Sequence, residues 1–336
     1  MIAAICESFG KALVLSEVPA PSPGPAELLI RVSACGVCHS DLHLIDGEWR
    51  QWGTRPPFIP GHEVTGIVEE VGPGAKGFAP GDRVGVPWMQ FACGECAPCS
   101  EGAEMLCAAQ RGTGVTVDGG YAEFMKAPAA FVHRIPDPLD LVDSAPLLCA
   151  GVTVFAPLRR AGVLAGKTVA VAGIGGLGHL AVRMASAMGA RVVAILEDEE
   201  RGDLVRRLGA REIILSGTEK VGKRLSTMGG ADLILLTAAS ARLFEQCVPG
   251  LGVNGTLVVL ATVAESASIV PAALLQGQKT IRGSVTGTRD DMDAMLRFSA
   301  EHGIAPVVER HALGSVNEAV AKLRAGKVVF RAVLVP

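Results

Sequence analysis

Short apolar stretches separated by glycine and proline turns run through the chain, and their pattern changes near residue 150. Before that point, apolar and polar residues alternate in stretches such as residues 28–32 and 64–71, which predicts short strands of an irregular β domain. From residue 165 onward, apolar strand-like stretches alternate with segments of helical periodicity. The pattern therefore predicts an α/β protein with two differently built domains.

The second half has the pattern of a doubly wound parallel sheet. Apolar residues at helical spacing near 180–188, 203–208 and 243–248 predict helices between strands. Short apolar strands with helical connections are typical of this architecture, and its crossovers are expected to be right-handed. The predicted strands are residues 168–172, 192–195, 212–215, 232–236, 256–261 and 280–284.

A glycine-rich turn follows the first strand of this half. It contains Gly173, Gly175, Gly176 and Gly178 and leads directly into a predicted helix. Glycines in this context allow a pyrophosphate to approach backbone N–H groups at the positive end of the helix. The turn predicts a dinucleotide site, and the alternative is a glycine-rich turn without a ligand.

Composition and charge exclude several classes of partner. The 336 residues carry a net charge of −3 and no cluster of lysine and arginine, which argues against nucleic-acid and membrane partners. The longest apolar stretch, residues 169–182, is too short to span a bilayer. The first residues lack the pattern of a signal peptide, and nine cysteines then predict a reducing, cytoplasmic location.

Four of the nine cysteines lie close together in a loop rich in glycine and proline. Cys93, Cys96, Cys99 and Cys107 offer four local thiolates, the set that a closed structural zinc site requires. The alternatives are free thiols or a disulfide pair. An iron–sulfur cluster also takes four thiolates, but this spacing fits neither ferredoxin pattern.

A second set of possible metal ligands is dispersed along the chain. Cys38, His62 and Cys149 would have to be assembled by the fold, which leaves room for the open position of a catalytic zinc ion. Taken singly, Cys149 could be a small core residue and His62 a histidine bonded within a turn.

Several motifs together resemble one family. GVCHSDLH, PGHEVTGIVEEVG, GDRV, the four-cysteine loop, LLCAGVT, GIGGLGH and GSVTGT occur in the order seen in zinc-dependent alcohol dehydrogenases of the medium-chain dehydrogenase/reductase superfamily. The chain is most similar to the microbial type, near the cinnamyl-alcohol dehydrogenase branch.

The resemblance implies three segments. Residues 1–150 would form a GroES-like irregular β-barrel catalytic domain with both zinc sites. Residues 151–284 would form a Rossmann domain with a doubly wound, parallel, six-stranded sheet, and residues 285–336 would return to the catalytic domain. Catalysis would take place in the cleft between the two domains.

The resemblance also assigns the metal sites. It implies that Cys38, His62 and Cys149 bind the catalytic zinc and that the four-cysteine loop binds a structural zinc, giving two Zn²⁺ per chain. Asp41 matches the carboxylate that orients the zinc-bound histidine. Glu63 would lie near the metal and assist ligand exchange.

Further residues match catalytic and substrate positions. Ser40 would accept the proton of the alcohol and pass it, through the cofactor ribose, to His43 and then to water. Hydride would move between the alcohol carbon and the nicotinamide. Trp49 and Trp88 match positions that line a narrow apolar pocket, which implies primary alcohols and aldehydes as substrates.

The cofactor positions match less uniformly. Thr153 corresponds to a nicotinamide contact, Arg331 to a pyrophosphate contact and His39 to a phosphate-facing position. Leu196 stands where NAD-preferring members carry an aspartate, but Glu197 follows it and begins an acidic run that would repel the phosphate of NADP. NAD(H) is therefore favoured over NADP(H). The resemblance further implies a homodimer or a homotetramer.

Two other functions compete with an NAD(H)-dependent alcohol dehydrogenase. One is an NADP(H)-dependent aldehyde reductase of the cinnamyl-alcohol dehydrogenase type, which the missing aspartate at Leu196 supports. The other is a non-catalytic, zinc-stabilised, dinucleotide-binding regulatory protein. That protein would be expected to lack a ligand or a relay residue, and this sequence lacks none.

Overall fold

The computed structural model describes all of residues 1–336 and divides into two compact units. The first unit contains Met1–Cys149 and Gly287–Pro336, and the second contains Ala150–Thr286. The C-terminal fifty residues thus fold with the N-terminal half of the chain.

Seventeen strands are formed, most of them short. In chain order they are β1 Ile2–Ile5, β2 Val14–Glu17, β3 Glu27–Val37, β4 Val64–Val71, β5 Arg83–Val86, β6 Met89–Phe91, β7 Arg111–Gly112, β8 Phe124–Pro128, β9 His133–Arg134, β10 Thr168–Ala172, β11 Arg191–Leu196, β12 Glu212–Leu215, β13 Ala231–Leu236, β14 Leu251–Val259, β15 Thr280–Gly283, β16 Val308–Ala312 and β17 Arg331–Val335.

Eleven α-helices accompany the strands, together with six 3₁₀ turns. The helices are α1 His39–Ile45, α2 Ala97–Ser100, α3 Leu141–Ser144, α4 Ala150–Arg160, α5 Gly178–Ala187, α6 Gly202–Arg207, α7 Val221–Thr227, α8 Ala241–Cys247, α9 Ala272–Leu275, α10 Arg289–Glu301 and α11 Val316–Arg324. The 3₁₀ turns are Arg50–Trp52, Glu104–Leu106, Ala129–Phe131, Ala145–Leu148, Val248–Gly250 and Leu313–Ser315.

The first unit is built around a seven-stranded sheet. Its order is β16-β17-β3-β4-β5-β9, with β8 also paired to β3, and all pairs except β16 with β17 are antiparallel. The long strand β3 is its centre, because its first half pairs with β8 and its last three residues pair with β17. Alternate residues of β3, such as Leu28 and Ile30, are fully buried in the core of this unit.

The second unit is a six-stranded parallel sheet with the order β12-β11-β10-β13-β14-β15. The chain starts in the middle, builds outward to one edge and then crosses to build the other, which is the doubly wound order of a dinucleotide-binding fold. All five residues of β10 are buried, as expected for a central parallel strand. The predicted fold class of this half is confirmed.

Several elements of the second unit differ from the sequence prediction, since helices α4, α7 and α9 were not predicted and β14 is longer than expected. Strand β14 begins at Leu251 rather than at residue 256, because Leu251 pairs with Ala231 before a register shift. The intervening Gly252 and Asn254 interrupt the apolar pattern there, so the sequence showed only the second part of the strand. Helix α7 was not predicted, because only three of its seven residues, Val221, Gly222 and Leu225, are buried.

No single helix is long and apolar enough to cross a membrane. One bent pair of segments, Leu141–Leu148 with Ala150–Arg160, passes that test together, by length and composition only.

Candidate active site and metal centres

The three dispersed ligand candidates come together in the first unit. Cys38 caps the N-terminus of α1 directly after β3, His62 lies in the turn before β4, and Cys149 ends a 3₁₀ turn. Their ligand atoms and a carboxylate oxygen of Glu63 all lie within 4.8 Å of one another. The sheet therefore gathers two thiols, an imidazole and a carboxylate that are up to 111 residues apart in sequence.

Asp41 contacts the imidazole of His62 at its Nδ1 atom. Its Oδ1 lies 2.9 Å from His62 Nδ1, and both side chains are fully buried. Its Oδ2 accepts hydrogen bonds from the Cys38 backbone N–H at 2.8 Å and from the Tyr121 hydroxyl at 2.9 Å. Asp41 thus both caps helix α1 and contacts the histidine.

The other ring nitrogen of His62 fits a metal ion. Nε2 is buried and has no hydrogen-bond partner, which is costly for an imidazole unless another group binds there. Two sulfurs and one nitrogen form a donor set that zinc prefers, and with Nδ1 held by Asp41 only Nε2 is available to it.

The electrostatics of the cluster suit a cation. The pKa of the Cys38 thiol lies well below its ordinary value, because the Cys149 thiol hydrogen-bonds to the Cys38 sulfur and His62 lies beside it. The same hydrogen bond, together with burial, raises the pKa of Cys149. Burial opposes protonation of His62, but the Asp41 carboxylate outweighs it and the pKa of His62 is raised. Negative charge is therefore favoured at the Cys38 sulfur, where a metal would bind.

Glu63 and Arg331 form a buried ion pair beside this cluster. Arg331 begins β17, is 2% exposed and donates to Glu63 Oε1. Burial raises the pKa of Glu63 to about 7, although the neighbouring Arg331 lowers it. A Cβ on Gly36 would lie 1.8 Å from Glu63 Oε2, so only glycine fits there. Oε2 of Glu63 and Nε of Arg331 have no partner and remain available to a ligand.

Ser40, His43 and His39 all lie on α1. Ser40 Oγ is 3.7 Å from the Cys38 sulfur, and Ser40 is not the cap of the helix, because Cys38 occupies that position. His43 lies one turn further along, one-third exposed, with Nδ1 2.5 Å from Glu48 Oε2. His39 is exposed.

All three tryptophans of the protein cluster beside His62. The ring of Trp88 meets the His62 ring edge-on at 4.9 Å between centroids, and Trp49 stacks on His43 at 4.6 Å. Trp52 packs against both, 4.5 Å from Trp49 and 6.0 Å from Trp88, and is half exposed.

Sequence reasoning missed two residues of this site. Trp52 could have been found, because it lies three residues after Trp49 at the spacing of a 3₁₀ turn. Tyr121 gave no local signal, because its partner Asp41 lies 80 residues away. The pKa of Tyr121 is raised well above its ordinary value by burial and by the Asp41 charge.

The four-cysteine loop forms a second cluster of sulfur atoms. Cys93 Sγ lies 4.0 Å from Cys99 Sγ and 3.6 Å from Cys107 Sγ, close to the separation of about 3.8 Å that follows from tetrahedral zinc–sulfur bonds of about 2.3 Å. Backbone N–H groups of residues 95 and 96 lower the pKa of Cys93 to about 6. The loop fits a zinc ion, and it contains helix α2 and a 3₁₀ turn, although the sequence indicated no regular structure there.

In the second unit, the glycine-rich turn lies between β10 and α5. Gly173 has φ +93°, and a Cβ there would lie 2.5 Å from the Cβ of Ala238. A Cβ on Gly178 would lie 2.0 Å from the Gly173 carbonyl oxygen, whereas one on Gly175 would point into open space. Gly176 lies in the turn that leads into α5. The backbone is therefore accessible at the start of a ten-residue helix, as a bound pyrophosphate would require.

Strand β11 ends at Leu196, and Glu197 is exposed directly after it. Glu199, two residues further on, pairs with Arg206 at 3.0 Å, and Arg206 also pairs with Asp203 at 3.0 Å. The acidic run is thus partly neutralised from α6. Thr153 lies in α4 and is buried.

Comparison with known proteins supplies the family. Residues 24–137 match the alcohol dehydrogenase GroES-like domain, and residues 176–301 match the zinc-binding dehydrogenase domain. An alcohol dehydrogenase of Geobacillus stearothermophilus is 42% identical over 336 residues, covering 99% of this chain and 98% of the relative. The chain belongs to the zinc-binding alcohol dehydrogenase family and is a zinc-dependent alcohol oxidoreductase.

Other similar proteins have names that specify a cofactor or a substrate. The NADP-dependent alcohol dehydrogenase C of Mycobacterium tuberculosis is 36% identical, covering 93% of this chain and 91% of the relative. A cinnamyl alcohol dehydrogenase structure from Sorghum bicolor matches with a TM-score of 0.87 and 32% identity, covering 99% and 96% of the two chains. The predicted resemblance to this family, including the cinnamyl-alcohol branch, is confirmed.

Proposed function

We propose that the protein transfers hydride reversibly between a primary alcohol or aldehyde and NAD(H), with Cys38, His62 and Cys149 holding the catalytic zinc. The observation that carries this proposal is the unpartnered Nε2 of buried His62, lying beside two cysteine sulfurs. A second zinc held by Cys93, Cys96, Cys99 and Cys107 would be structural, because four thiolates leave no open position.

When bound, zinc supplies a Lewis acid that lowers the pKa of a substrate hydroxyl and polarises a carbonyl. The chain's own groups prepare the site for it. Asp41 accepts the Nδ1 proton of His62, which fixes the imidazole tautomer. Arg331 balances the charge of Glu63, so that this carboxylate can remain buried beside the ligands.

Proton transfer is assigned to helix α1. Ser40 Oγ lies beside the Cys38 sulfur and would take the proton that leaves the alcohol hydroxyl. His43, one helical turn away and partly exposed, would release that proton to water. In aldehyde reduction the same groups would deliver a proton in the opposite direction.

Substrate selection is assigned to the tryptophan cluster. Trp88 contacts the His62 ring and Trp49 contacts His43, so both flank the groups that would act on the substrate. Large planar side chains on this side favour apolar substituents and a narrow pocket. This supports primary alcohols and aldehydes, aliphatic or aromatic.

For the cofactor we favour NAD(H). Gly173, Gly175, Gly176 and Gly178 would hold the pyrophosphate, with Arg331 and His39 as further phosphate contacts and Thr153 as a nicotinamide contact. Exposed Glu197 at the end of β11 supports NAD(H), because a carboxylate there can accept hydrogen bonds from ribose and repels a phosphate. The rival is an NADP(H)-dependent aldehyde reductase, supported by Leu196 and by the pairing of Glu199 with Arg206.

A matrix of alcohols and aldehydes against both cofactors tests the proposal. Ethanol, hexanol, benzyl alcohol, cinnamyl alcohol and the matching aldehydes are assayed for kcat/KM with NAD(H) and with NADP(H). Higher kcat/KM with NAD(H) for primary alcohols supports the proposal, whereas a preference for NADP(H) favours the rival. Zinc-loaded protein without turnover on any pair would overturn both and favour the non-catalytic regulatory protein.

We also propose a homodimer or homotetramer located in the cytoplasm. The second unit exposes Val253, Val270, Leu275 and Val285, and its edge strand β15 is paired on one side only, with β14. All nine cysteines are free, which supports a reducing compartment. Light scattering that gives a monomer mass would contradict the oligomer.

A further inference from the structure

Tyr121 is the only tyrosine of the chain, and contacts hold its backbone, its ring and its hydroxyl. Its backbone N–H donates to the Pro60 carbonyl at 3.0 Å, and its carbonyl accepts from the Ala4 N–H at 2.8 Å. Its ring packs against Gly61, where a Cβ would lie 2.4 Å from the ring carbon Cδ1. The side chain is fully buried, and its hydroxyl donates to Asp41 Oδ2 at 2.9 Å.

That hydroxyl completes the support of Asp41. Of the two donors to Oδ2, the Cys38 N–H belongs to the same helix turn as Asp41. The Tyr121 hydroxyl is the donor from a distant segment, and that segment is bonded to the turn that carries His62. Without it, the carboxylate would be held on this oxygen only by its own helix.

We propose that Tyr121 is a positioning residue for the zinc ligand His62, acting through Asp41. Its hydroxyl donates to Oδ2 and thereby directs Oδ1 at His62 Nδ1. Hydrogen bonds from groups that surround the metal ligands, without binding the metal themselves, fix the orientation of a histidine ligand and affect how tightly the metal is held. The inference rests on the proposed zinc site at Cys38, His62 and Cys149.

The first test removes only the hydroxyl. In Tyr121→Phe, zinc is expected to leave this site roughly tenfold faster, within the usual range for an outer partner of a metal ligand. Zinc release is monitored by the transfer of the ion to a chromogenic chelator. The release phase that is missing in Cys38→Ala is the one assigned to this site. An unchanged rate for this phase in Tyr121→Phe would overturn the inference.

Thr113→Val is the matched control for the loss of a buried hydroxyl. Thr113 is fully buried in the same unit and donates to the Pro87 carbonyl at 2.7 Å, without contact to Asp41. The Thr113→Val variant should have a lower free energy of unfolding, as Tyr121→Phe should, and an unchanged rate of zinc release. If it accelerates release equally, the effect of Tyr121 is general destabilisation and the inference fails.

A double-variant comparison tests whether Tyr121 acts through Asp41. If it does, Tyr121→Phe should accelerate zinc release in the wild-type background and have little further effect in Asp41→Asn. Independent, multiplying effects of the two substitutions would contradict the proposed route.

A measurement that leaves Tyr121 in place covers the case in which Tyr121→Phe does not fold. Growth on 3-fluorotyrosine labels this one residue, and its ¹⁹F resonance is expected to differ between the wild type and Cys38→Ala. Identical resonances would overturn the inference. If the wild type shows no release phase that depends on Cys38, the proposed zinc site itself fails, and that result is distinct from both outcomes.

Discussion

At the scale of single residues, several side chains of the site stand out in the sequence by their type, whereas the contacts between them do not. Cys38, His62 and Cys149 stand out by chemistry, and the motifs around them identified them before their proximity was known. Tyr121 carries no such signal, and Trp52 is marked only by its spacing to Trp49. The contact to Asp41 gives Tyr121 its place in the site, and contact with Trp49 and Trp88 gives Trp52 its place.

The proposed proton path leads to a prediction at Ser40. Ser40→Ala should lower kcat by about 10²-fold, because a positioned general base contributes about that much or more. Zinc content and unfolding midpoint should stay unchanged, because the helix is capped by Cys38 and Asp41 rather than by Ser40. Steady-state kinetics and metal analysis check this.

Ser8→Ala is a suitable control, because Ser8 Oγ is exposed and bonds only the adjacent Glu7 carbonyl. A Ser40→Ala enzyme with wild-type kcat would remove Ser40 from the proton path.

At the scale of elements, helix α10 secures the four-cysteine loop within the first unit. Arg289 at the start of α10 donates to Glu104 through its backbone N–H and through its guanidinium, at 2.8–3.1 Å. Its guanidinium also lies over the ring of Phe131 at 4.7 Å. The loop has little core of its own, with only Met89, Ala92, Cys107 and Phe131 buried together. The ion pair therefore supplies part of the stability that apolar packing does not, and the proposed zinc ion would supply more.

Replacing Arg289 with alanine should lower stability by about 1 kcal/mol, since the bidentate pair is strong but its guanidinium is partly exposed. The unfolding midpoint should fall and zinc in the four-cysteine loop should become easier to extract. Arg297→Ala, at an exposed position on the same helix, is the control. Equal midpoints for the two variants would show that the Glu104 contact does not stabilise the loop.

At the scale of the whole molecule, the two groups of possible metal ligands in the first unit have different surroundings. Cys38 follows β3, whose end is paired with β17 and β4, so its position is fixed by a sheet without any metal. The four-cysteine loop lies among short helical turns and a two-stranded pair, β6 with β7. We therefore expect one cluster to serve chemistry and the other to serve stability.

The paired variants Cys38→Ala and Cys99→Ala test this division. Each should contain one zinc ion per chain. Cys38→Ala should abolish turnover and keep the wild-type melting temperature within about 2 °C. Cys99→Ala should lower the melting temperature by about 5 °C or more, because a structural metal contributes folding energy.

Metal analysis, calorimetry and steady-state rates give these three quantities for both variants. Two zinc ions in the wild type are required for the comparison. Equal melting temperatures for the two variants would contradict a structural role for the four-cysteine loop.

The sequence by itself determined the alternation of strands and helices, the glycine turn and the local four-cysteine set. These follow from short-range patterns, because periodicity, turn geometry and ligand spacing act within about 15 residues. Only the tertiary structure decided that Asp41, Tyr121 and His62 form one hydrogen-bonded chain, that Glu63 pairs with Arg331, and that three tryptophans converge. Those contacts join residues 21 to 268 positions apart or depend on ring placement, and they arise from strand pairing that local pattern does not specify.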